Sequence, residues 1–290
     1  LAIELTRGDG RIAMVWIPNA VAVAAMLRWN VGREYLLVLA LWCGNVSANL
    51  VVGDSPVIAA ALATSNIVEI SVALALVRRF VGNRPDMRRV SDLTRFVVLA
   101  GLCAPAISAT VAMSALKSTT IDFLSGWLTW TLTDGLGMVL IAPILLTFID
   151  AARNPRIPSR SECLEWAALT ILGTLIVSAI FVQTQYPLLF LITPVILIYA
   201  LRLGSLGTAL ALLKIGVIAT LCTWLGHGPI QLFTHTEELQ LVLLQAFLGS
   251  AFLVGFPVAA LLNRQREMLT EIQEREAQLS LLADNMSDAV

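Results

Sequence analysis

Three ionisable side chains lie near the middle of long apolar runs in this 290-residue sequence. They are Glu69, Asp134 and Lys214. An ionisable group in the hydrocarbon of a bilayer is costly. It usually faces the interior of a helix bundle, where it binds a ligand or exchanges a proton. Lys214 is a candidate ion-pair partner for either acid. These residue types therefore point to a polar site inside a membrane.

Polar and aromatic residues recur beside the two acids at the spacing of a helix face. Asn66 precedes Glu69 by three residues, and Trp130 precedes Asp134 by four. Side chains three or four residues apart lie on the same face of a helix. We therefore predict an intramembrane cavity that binds a small polar ligand or senses protonation. Its predicted wall residues are Asn45, Asn49, Asn66, Glu69, Trp127, Trp130 and Asp134.

The same residues have a simpler interpretation as contacts that hold the helices together. A hydrogen bond between transmembrane helices contributes roughly 0.6–2 kcal/mol, and asparagine side chains commonly make such bonds. The substitutions Glu69→Gln and Asp134→Asn separate the two interpretations, because only a functional site loses signalling while the protein still folds.

Sequence motifs of soluble enzymes are absent. The chain has no phosphate-binding GxxxxGK[ST], no HExxH, no GxSxG and no dinucleotide fingerprint. Its four cysteines are far apart, and His227 and His235 have no metal-ligand spacing. The net charge of −1 gives no indication of nucleic-acid binding. We predict no catalytic residue, metal site, cofactor or nucleic-acid partner within these residues.

The composition is that of an integral membrane protein. Hydrophobic residues make up 58% of the chain, charged residues 13%, and the mean hydropathy is +0.82. Soluble domains average about 25% charged residues, and a soluble core of this size cannot bury so much apolar surface. The apolar runs show no alternation with a period of two. The predicted fold class is therefore all-α, a polytopic transmembrane helix bundle in the lipid bilayer.

About nine apolar runs approach the length of a membrane span, which is roughly 20 residues. They cover residues 12–28, 33–52, 56–77, 93–116, 121–149, 164–183, 187–201, 204–226 and 239–262. The run 187–201 is short and contains Pro194. Either a full span or a re-entrant segment is consistent with it.

Basic residues are distributed unevenly between the loops on alternate sides of these runs. One set of loops holds 15 basic residues, and the other holds three, which are Arg7, Arg11 and Lys117. Short loops rich in Arg and Lys lie on the cytoplasmic side of a membrane. The predicted topology therefore has the C-terminus in the cytoplasm.

The composition changes abruptly after Leu262. Residues 263–288 are rich in charged side chains and contain no Pro or Gly. An apolar stripe at 3- and 7-residue spacings is formed by Leu269, Ile272, Leu279 and Leu282. This pattern is typical of a helix that leaves the membrane and enters a short coiled coil. We predict a membrane domain over residues 1–262 and a cytoplasmic connector helix over 263–290, through which the chain forms a homodimer.

Five segments, in this order, are similar to those of the first class of membrane-associated sensor (MASE) domains. They are Trp16–Ala20, Trp42–Asn45, Ser65–Glu69, Trp127–Trp130 and Asp134–Gly137. The resemblance covers roughly residues 12–262. It implies a multi-span input module in the inner membrane of a bacterium. Such modules precede diguanylate cyclases, cyclic-di-GMP phosphodiesterases or sensor histidine kinases.

The last residues, 276–290, resemble the start of a PAS domain, which often links such sensors to their outputs. The resemblance implies that a stimulus changes the helix packing around Glu69 and Asp134. The last span then passes this change through the connector to a cytoplasmic output. The stimulus is either a small-molecule ligand or a partner membrane protein. On this interpretation the sequence is an internal part of a longer protein.

Two other functions are consistent with polar residues in membrane spans. A transporter would use helices broken near Pro18, Pro105 and Pro194. It would not account for the connector helix, and the sequence lacks the repeat symmetry that many transporters show. A scaffold that recruits a partner membrane protein is compatible with sensing, since the partner itself can be the stimulus.

Overall fold

The computed structural model describes residues 15–29, 32–116, 122–153, 155, 159–234 and 236–287. Every regular element within these ranges is helical. The α-helices are α1 (Ile17–Arg28), α2 (Glu34–Val51), α3 (Pro56–Phe80), α4 (Val90–Val98), α5 (Ala104–Ala115), α6 (Phe123–Arg153), α7 (Arg160–Val182), α8 (Ile192–Trp224) and α9 (Glu237–Ser287). A π turn (Leu99–Cys103) joins α4 to α5, and 3₁₀ turns (Leu188–Leu191, Pro229–Leu232) precede α8 and α9.

Within these described ranges, seven helical stretches are long and apolar enough to cross a membrane. They are Glu34–Val51, Pro56–Phe80, Val90–Ala115, Phe123–Arg153, Arg160–Val182, Leu188–Trp224 and Leu239–Gln278. Helix α1 is apolar but has only 12 residues. The predicted first run begins at residue 12, and residues 12–14 lie outside the described ranges. The predicted class, an all-α polytopic membrane bundle, is confirmed.

Helix α8 contains two of the predicted runs, because the chain reverses direction at Gly204. The backbone there has φ 65° and ψ −155°, which are not helical values and which only glycine adopts readily. Lys214 Nζ lies 2.6 Å from the hydroxyl of Tyr199. In one straight helix these residues would be about 20 Å apart along the axis. Residues 192–203 therefore form one arm and residues 205–224 an antiparallel second arm.

The first arm runs back along α7 over most of its length. Tyr199 donates a hydrogen bond to the Leu169 carbonyl at 2.6 Å, and Arg202 pairs with Glu165 at 2.5 Å. Glu165 lies in the second turn of α7, whereas the arm begins just beyond the end of that helix. With α1 and the two arms of α8 counted separately, the described residues hold nine apolar helical segments, which is roughly consistent with the prediction of about nine runs.

Arginine side chains connect several helix ends at one end of the bundle. Arg28 at the end of α1 binds Asp150 near the end of α6, with nitrogen–oxygen distances of 2.6 and 2.7 Å. Arg78 near the end of α3 binds Glu34 at the start of α2, at 2.6 Å. Because a bidentate Arg–carboxylate pair fixes geometry as well as charge, these contacts hold α1, α2, α3 and α6 in register at this end.

Helix α9 extends well beyond the bundle. Its 51 residues contain Pro257, and the helix continues through it. All side chains from Arg264 to Gln278 are exposed. The helix therefore begins inside the bundle, and its residues 264–278 are exposed on all sides. The chain beyond Ser287, the end of the PAS-like segment, lies outside the described residues.

Candidate functional site

Two carboxyl groups meet in the middle of the bundle. Glu69 on α3 has no exposed surface, and Asp134 on α6 is 5% exposed. The two side chains lie within hydrogen-bonding reach of each other. Among the described residues neither acid forms an ion pair with Lys or Arg. The structure thus brings together the two acids that the sequence had placed on different helices.

A row of amide side chains continues from this pair across three helices. Asn19 on α1 donates one hydrogen bond to Glu69 Oε2 at 3.0 Å and another to Asn66 Oδ1 at 3.1 Å. Asn66 in turn donates to Asn45 Oδ1 on α2 at 3.0 Å. We call these five residues, Asn19, Asn45, Asn66, Glu69 and Asp134, the polar cluster. Helices α1, α2, α3 and α6 each contribute at least one member.

Several buried polar atoms in and around the polar cluster have no hydrogen-bond partner among the described residues. Three are oxygen atoms of the cluster itself, namely Asn19 Oδ1, Glu69 Oε1 and Asp134 Oδ2. The two acids can pair with each other only when one of them carries a proton. Three more belong to flanking residues, namely Trp16 Nε1, Trp130 Nε1 and Thr131 Oγ1. Because roughly 90% or more of buried polar atoms in proteins are paired, this concentration distinguishes the polar cluster from ordinary helix packing.

Close backbone contacts position the cluster. The N-terminal end of α1 crosses α6 at Gly137, where an added Cβ would lie 2.2 Å from the Trp16 carbonyl oxygen. Only glycine permits this approach. The Trp16 amide also donates a hydrogen bond to the Thr133 carbonyl at 3.4 Å. The start of α1, and Asn19 one turn later, are therefore fixed beside Asp134.

Helices α3 and α5 are also connected close to the cluster. Ser108 on α5 donates a 2.9 Å hydrogen bond to the carbonyl of Ser65, the residue before Asn66. The π turn before α5 is consistent with Pro105, which has no N–H to continue the regular helical ladder. This region therefore packs α3 and α6 against a locally widened helix.

The other predicted wall residues take different positions. Trp130 lies near Asp134, but its indole nitrogen makes no hydrogen bond of regular geometry. Trp127 is directed toward α5, where its indole donates to the Ala106 carbonyl at 3.1 Å and to Thr110 Oγ1 at 3.0 Å. Asn49 is buried one turn beyond Asn45 but is not part of the hydrogen-bonded row from Asn45 to Glu69.

Lys214 lies in a separate cluster and does not pair with either acid. Its Nζ donates to the Tyr199 hydroxyl at 2.6 Å, and to the Thr170 carbonyl and Thr174 Oγ1 at 3.2 Å each. It also lies 4.7 Å from the centre of the Tyr199 ring. The three ammonium protons thus have three acceptors, which join α7 to both arms of α8.

Sequence reasoning missed three contributors to the site. Asn19 was recognisable as an amide beside Pro18 in an apolar run, and Gln245 as an amide within the last span. Thr133 carries no comparable signal. Gln245 on α9 donates a 3.3 Å hydrogen bond to Thr133 Oγ1, one residue from Asp134. Helix α9, whose residues 264–278 are exposed, is therefore bonded to the helix that carries Asp134.

Comparison with known proteins agrees with this architecture. The model of the MASE1 family matches residues 1–266. The probable diguanylate cyclase DgcE of Escherichia coli (strain K12) is 24% identical over 161 residues, which are 54% of this chain and 14% of that protein. The chain thus spans only a small part of the relative's length. No solved structure matches. Since the family model covers most of the sequence, the chain belongs to the MASE1 family and is a multi-pass membrane sensory domain.

Proposed function

We propose that this domain detects its stimulus at the polar cluster and passes the resulting change in helix packing to a cytoplasmic output through α9. The observation that carries the proposal is the contact between Glu69 and Asp134 at the junction of α1, α3 and α6. Two acids without a cationic partner are a poor choice for simple adhesion between helices. They are well suited to bind a small polar ligand or to respond to protonation.

The unpartnered atoms of the cluster support this role. They are carboxyl and amide oxygens, which accept hydrogen bonds, and the indole nitrogens of the flanking Trp16 and Trp130 can donate them. A small polar molecule would find both kinds of partner here. A ligand shifts a conformational equilibrium only by binding one state better than the other. The atoms of the cluster belong to separate helices, α1, α3 and α6. When those helices move, the affinity of the site for a ligand changes.

A direct structural route leads from the cluster to the connector. Asp134 follows Thr133, and Thr133 Oγ1 accepts a hydrogen bond from Gln245 on α9. Gln245 and the exposed connector belong to the same helix, Glu237–Ser287. A shift or rotation of α6 therefore changes a contact of the helix that leaves the bundle.

The connector is the proposed site of homodimerisation. Leu269 and Ile272 are 54% and 53% exposed, and they begin the apolar stripe seen in the sequence. A single helix exposed on all sides gains little stability without packing, and a second copy would bury this stripe. A change in the register or in the relative rotation of the two connector helices would carry the signal.

The proposed location is the inner membrane of a bacterium, with the connector in the cytoplasm. The arginines that join the helix ends, Arg28, Arg78 and Arg202, lie at the end of the bundle where α9 leaves it. This distribution follows the positive-inside rule. The proposed output is a diguanylate cyclase, a cyclic-di-GMP phosphodiesterase or a histidine kinase. The relative described as a probable diguanylate cyclase favours the first.

The test is a fusion of residues 1–287 to the catalytic domain of a diguanylate cyclase, with cyclic-di-GMP as the readout. We expect Glu69→Gln and Asp134→Asn each to change the product level by about fivefold or more, the lower range of coupling between distant sites. Lys214→Met is the matched control, because it removes another ionisable intramembrane side chain, one whose hydrogen bonds are all made within the bundle. We expect it to leave the product level unchanged.

Folding is checked separately by circular dichroism and size-exclusion chromatography of the solubilised variants. If both acid variants fold and signal like the unaltered fusion, the polar cluster is not the sensing site. If they lose folding and signalling together, the cluster holds the helices together and the proposal is wrong.

A further inference from the structure

A second polar site lies at the end of the bundle where α9 emerges. A cavity of about 490 Å³ is lined there by the end of α6, the reversal of α8, the first exposed turn of α9 and the loop around Arg88. Its α6 residues, Thr147 and Asp150, follow Asp134 by 13 and 16 positions. This corresponds to roughly 20 Å along the helix. The cavity is therefore separate from the polar cluster.

The acidic groups of this cavity are already paired with arginines. Asp150 accepts two hydrogen bonds from Arg28, at 2.6 and 2.7 Å. Asp86 pairs with Arg88 at 3.3 Å and with Arg89 at 3.7 Å. The carboxylates therefore do not leave a net negative charge in the cavity wall.

Arg266 adds a positive charge that no carboxylate among the described residues compensates. Its Nη2 donates to the Leu201 carbonyl, and its Nη1 lies 3.9 Å from the position that a Cβ would take at Gly204. Next to it, Asn263 donates a 2.6 Å hydrogen bond to Ser205 Oγ. The lining holds two guanidinium groups and two carboxylates, and Arg28 and Arg89 pair with those carboxylates from outside it. Counted with them, four guanidinium groups face two carboxylates, and nearby amide and hydroxyl groups complete the partners of an oxyanion.

We propose that this cavity binds the phosphate group of an anionic molecule, with Arg266 as its principal ligand and Arg88, which shares Asp86 with Arg89, as the second. Guanidinium groups bind phosphate through paired hydrogen bonds, and the volume lies within the range of small-molecule sites. The phosphate belongs either to an anionic lipid headgroup at the membrane surface or to a soluble metabolite. In either case it binds to α9 and to the α8 reversal together, and so stabilises the position from which the connector leaves the bundle. This inference does not depend on the sensing role of the polar cluster.

The experiment measures binding to the purified 290-residue chain in two arms. In the first, pyrophosphate is titrated calorimetrically into protein in a phosphate-free neutral detergent. In the second, phosphatidylglycerol retained from mixed phosphatidylcholine nanodiscs is counted by native mass spectrometry. Arg266→Gln is the test variant. Arg264→Gln is the matched control, because Arg264 lies on the same exposed turn but does not line the cavity.

Pyrophosphate binding that Arg266→Gln weakens by about tenfold or more would support the site and identify a soluble ligand, because a hydrogen bond to a charged group is lost. The second supporting result has two parts: the unaltered chain retains phosphatidylglycerol but does not bind pyrophosphate, and Arg266→Gln abolishes the retention. This result would identify the ligand as a lipid headgroup. Equal behaviour of the Arg264 and Arg266 variants in both arms would overturn the proposal. If Arg266→Gln does not fold, Arg88→Gln on the opposite wall provides the same test.

Discussion

The bundle contains two intramembrane polar regions that differ in how well their groups are paired. In the polar cluster, Glu69 and Asp134 meet without a cation and several buried atoms lack partners. Around Lys214, by contrast, three protons meet three acceptors on α7 and α8. The first region contains two acids with unused hydrogen-bonding capacity, whereas the second contains one amine whose hydrogen bonds are all made.

On the function proposed above, this difference separates a functional from a structural use of ionisable groups in the membrane. Buried polar groups are expensive unless they are hydrogen-bonded, so a fully paired lysine is consistent with a role in holding two arms of a hairpin together. An incompletely paired acid cluster costs stability in the absence of a ligand or proton. Its presence is therefore more readily explained by function than by folding.

Among substitutions that distinguish the polar cluster from the region around Lys214, we expect the largest effect on stability and output for Gly137→Ala. The new Cβ would lie 2.2 Å from the Trp16 carbonyl oxygen, so α1 must move away from α6. Overpacking of this kind costs about 1–3 kcal/mol, and the movement also separates Asn19 from Glu69. We expect lower thermal stability in detergent together with altered output of the cyclase fusion.

The control for this change is Gly44→Ala on α2, where a Cβ has open space around it. It should leave both stability and output close to those of the unaltered fusion. Equal effects of the two substitutions would show that the contact between α1 and α6 does not set the geometry of the cluster.

A smaller and purely structural effect is expected for Lys214→Met. Each interhelical hydrogen bond in a membrane contributes roughly 0.6 kcal/mol on average, so the loss of three should destabilise the domain by about 1–2 kcal/mol. The free energy of unfolding can be measured by titration with dodecyl sulfate in mixed micelles. A change in output at unchanged stability would contradict the assignment of this region to folding.

The sequence was sufficient for much of this architecture. The apolar runs identified the helices, and the arginine distribution agreed with the end at which the helices are joined by ion pairs. Glu69 and Asp134 were recognisable because each is a lone acid near the middle of a run. That inference requires no knowledge of which helices are neighbours, because an acid in the hydrocarbon of a bilayer is unusual wherever it lies.

Contacts between particular helices were not predictable, because they depend on which helices are neighbours and how each is rotated. Trp127 and Trp130 are three residues apart, yet they differ by about 60° around the helix. One is therefore bonded to α5, whereas the other lies near Asp134. Lys214 was an equally good candidate to pair with an acid until the reversal at Gly204 placed Tyr199 beside it.

The smallest expected effect, and the most informative about signalling, concerns Gln245→Leu. This substitution removes the 3.3 Å hydrogen bond from α9 to Thr133 Oγ1 but retains an apolar side chain suited to the span. The bond to Thr133 is long, so this contact itself should contribute about 0.6 kcal/mol or less. If α9 receives its signal at this contact, the output of the cyclase fusion should nevertheless change, and the effects of Asp134→Asn and Gln245→Leu should be non-additive. Non-additivity is expected only for residues that act through one network. If the effects of the two single variants add up strictly in the double variant, the signal is passed to α9 at a different contact. The next candidate is the contact of α9 with α8 around Gly255, where Ile196 and Thr208 from the two arms meet α9.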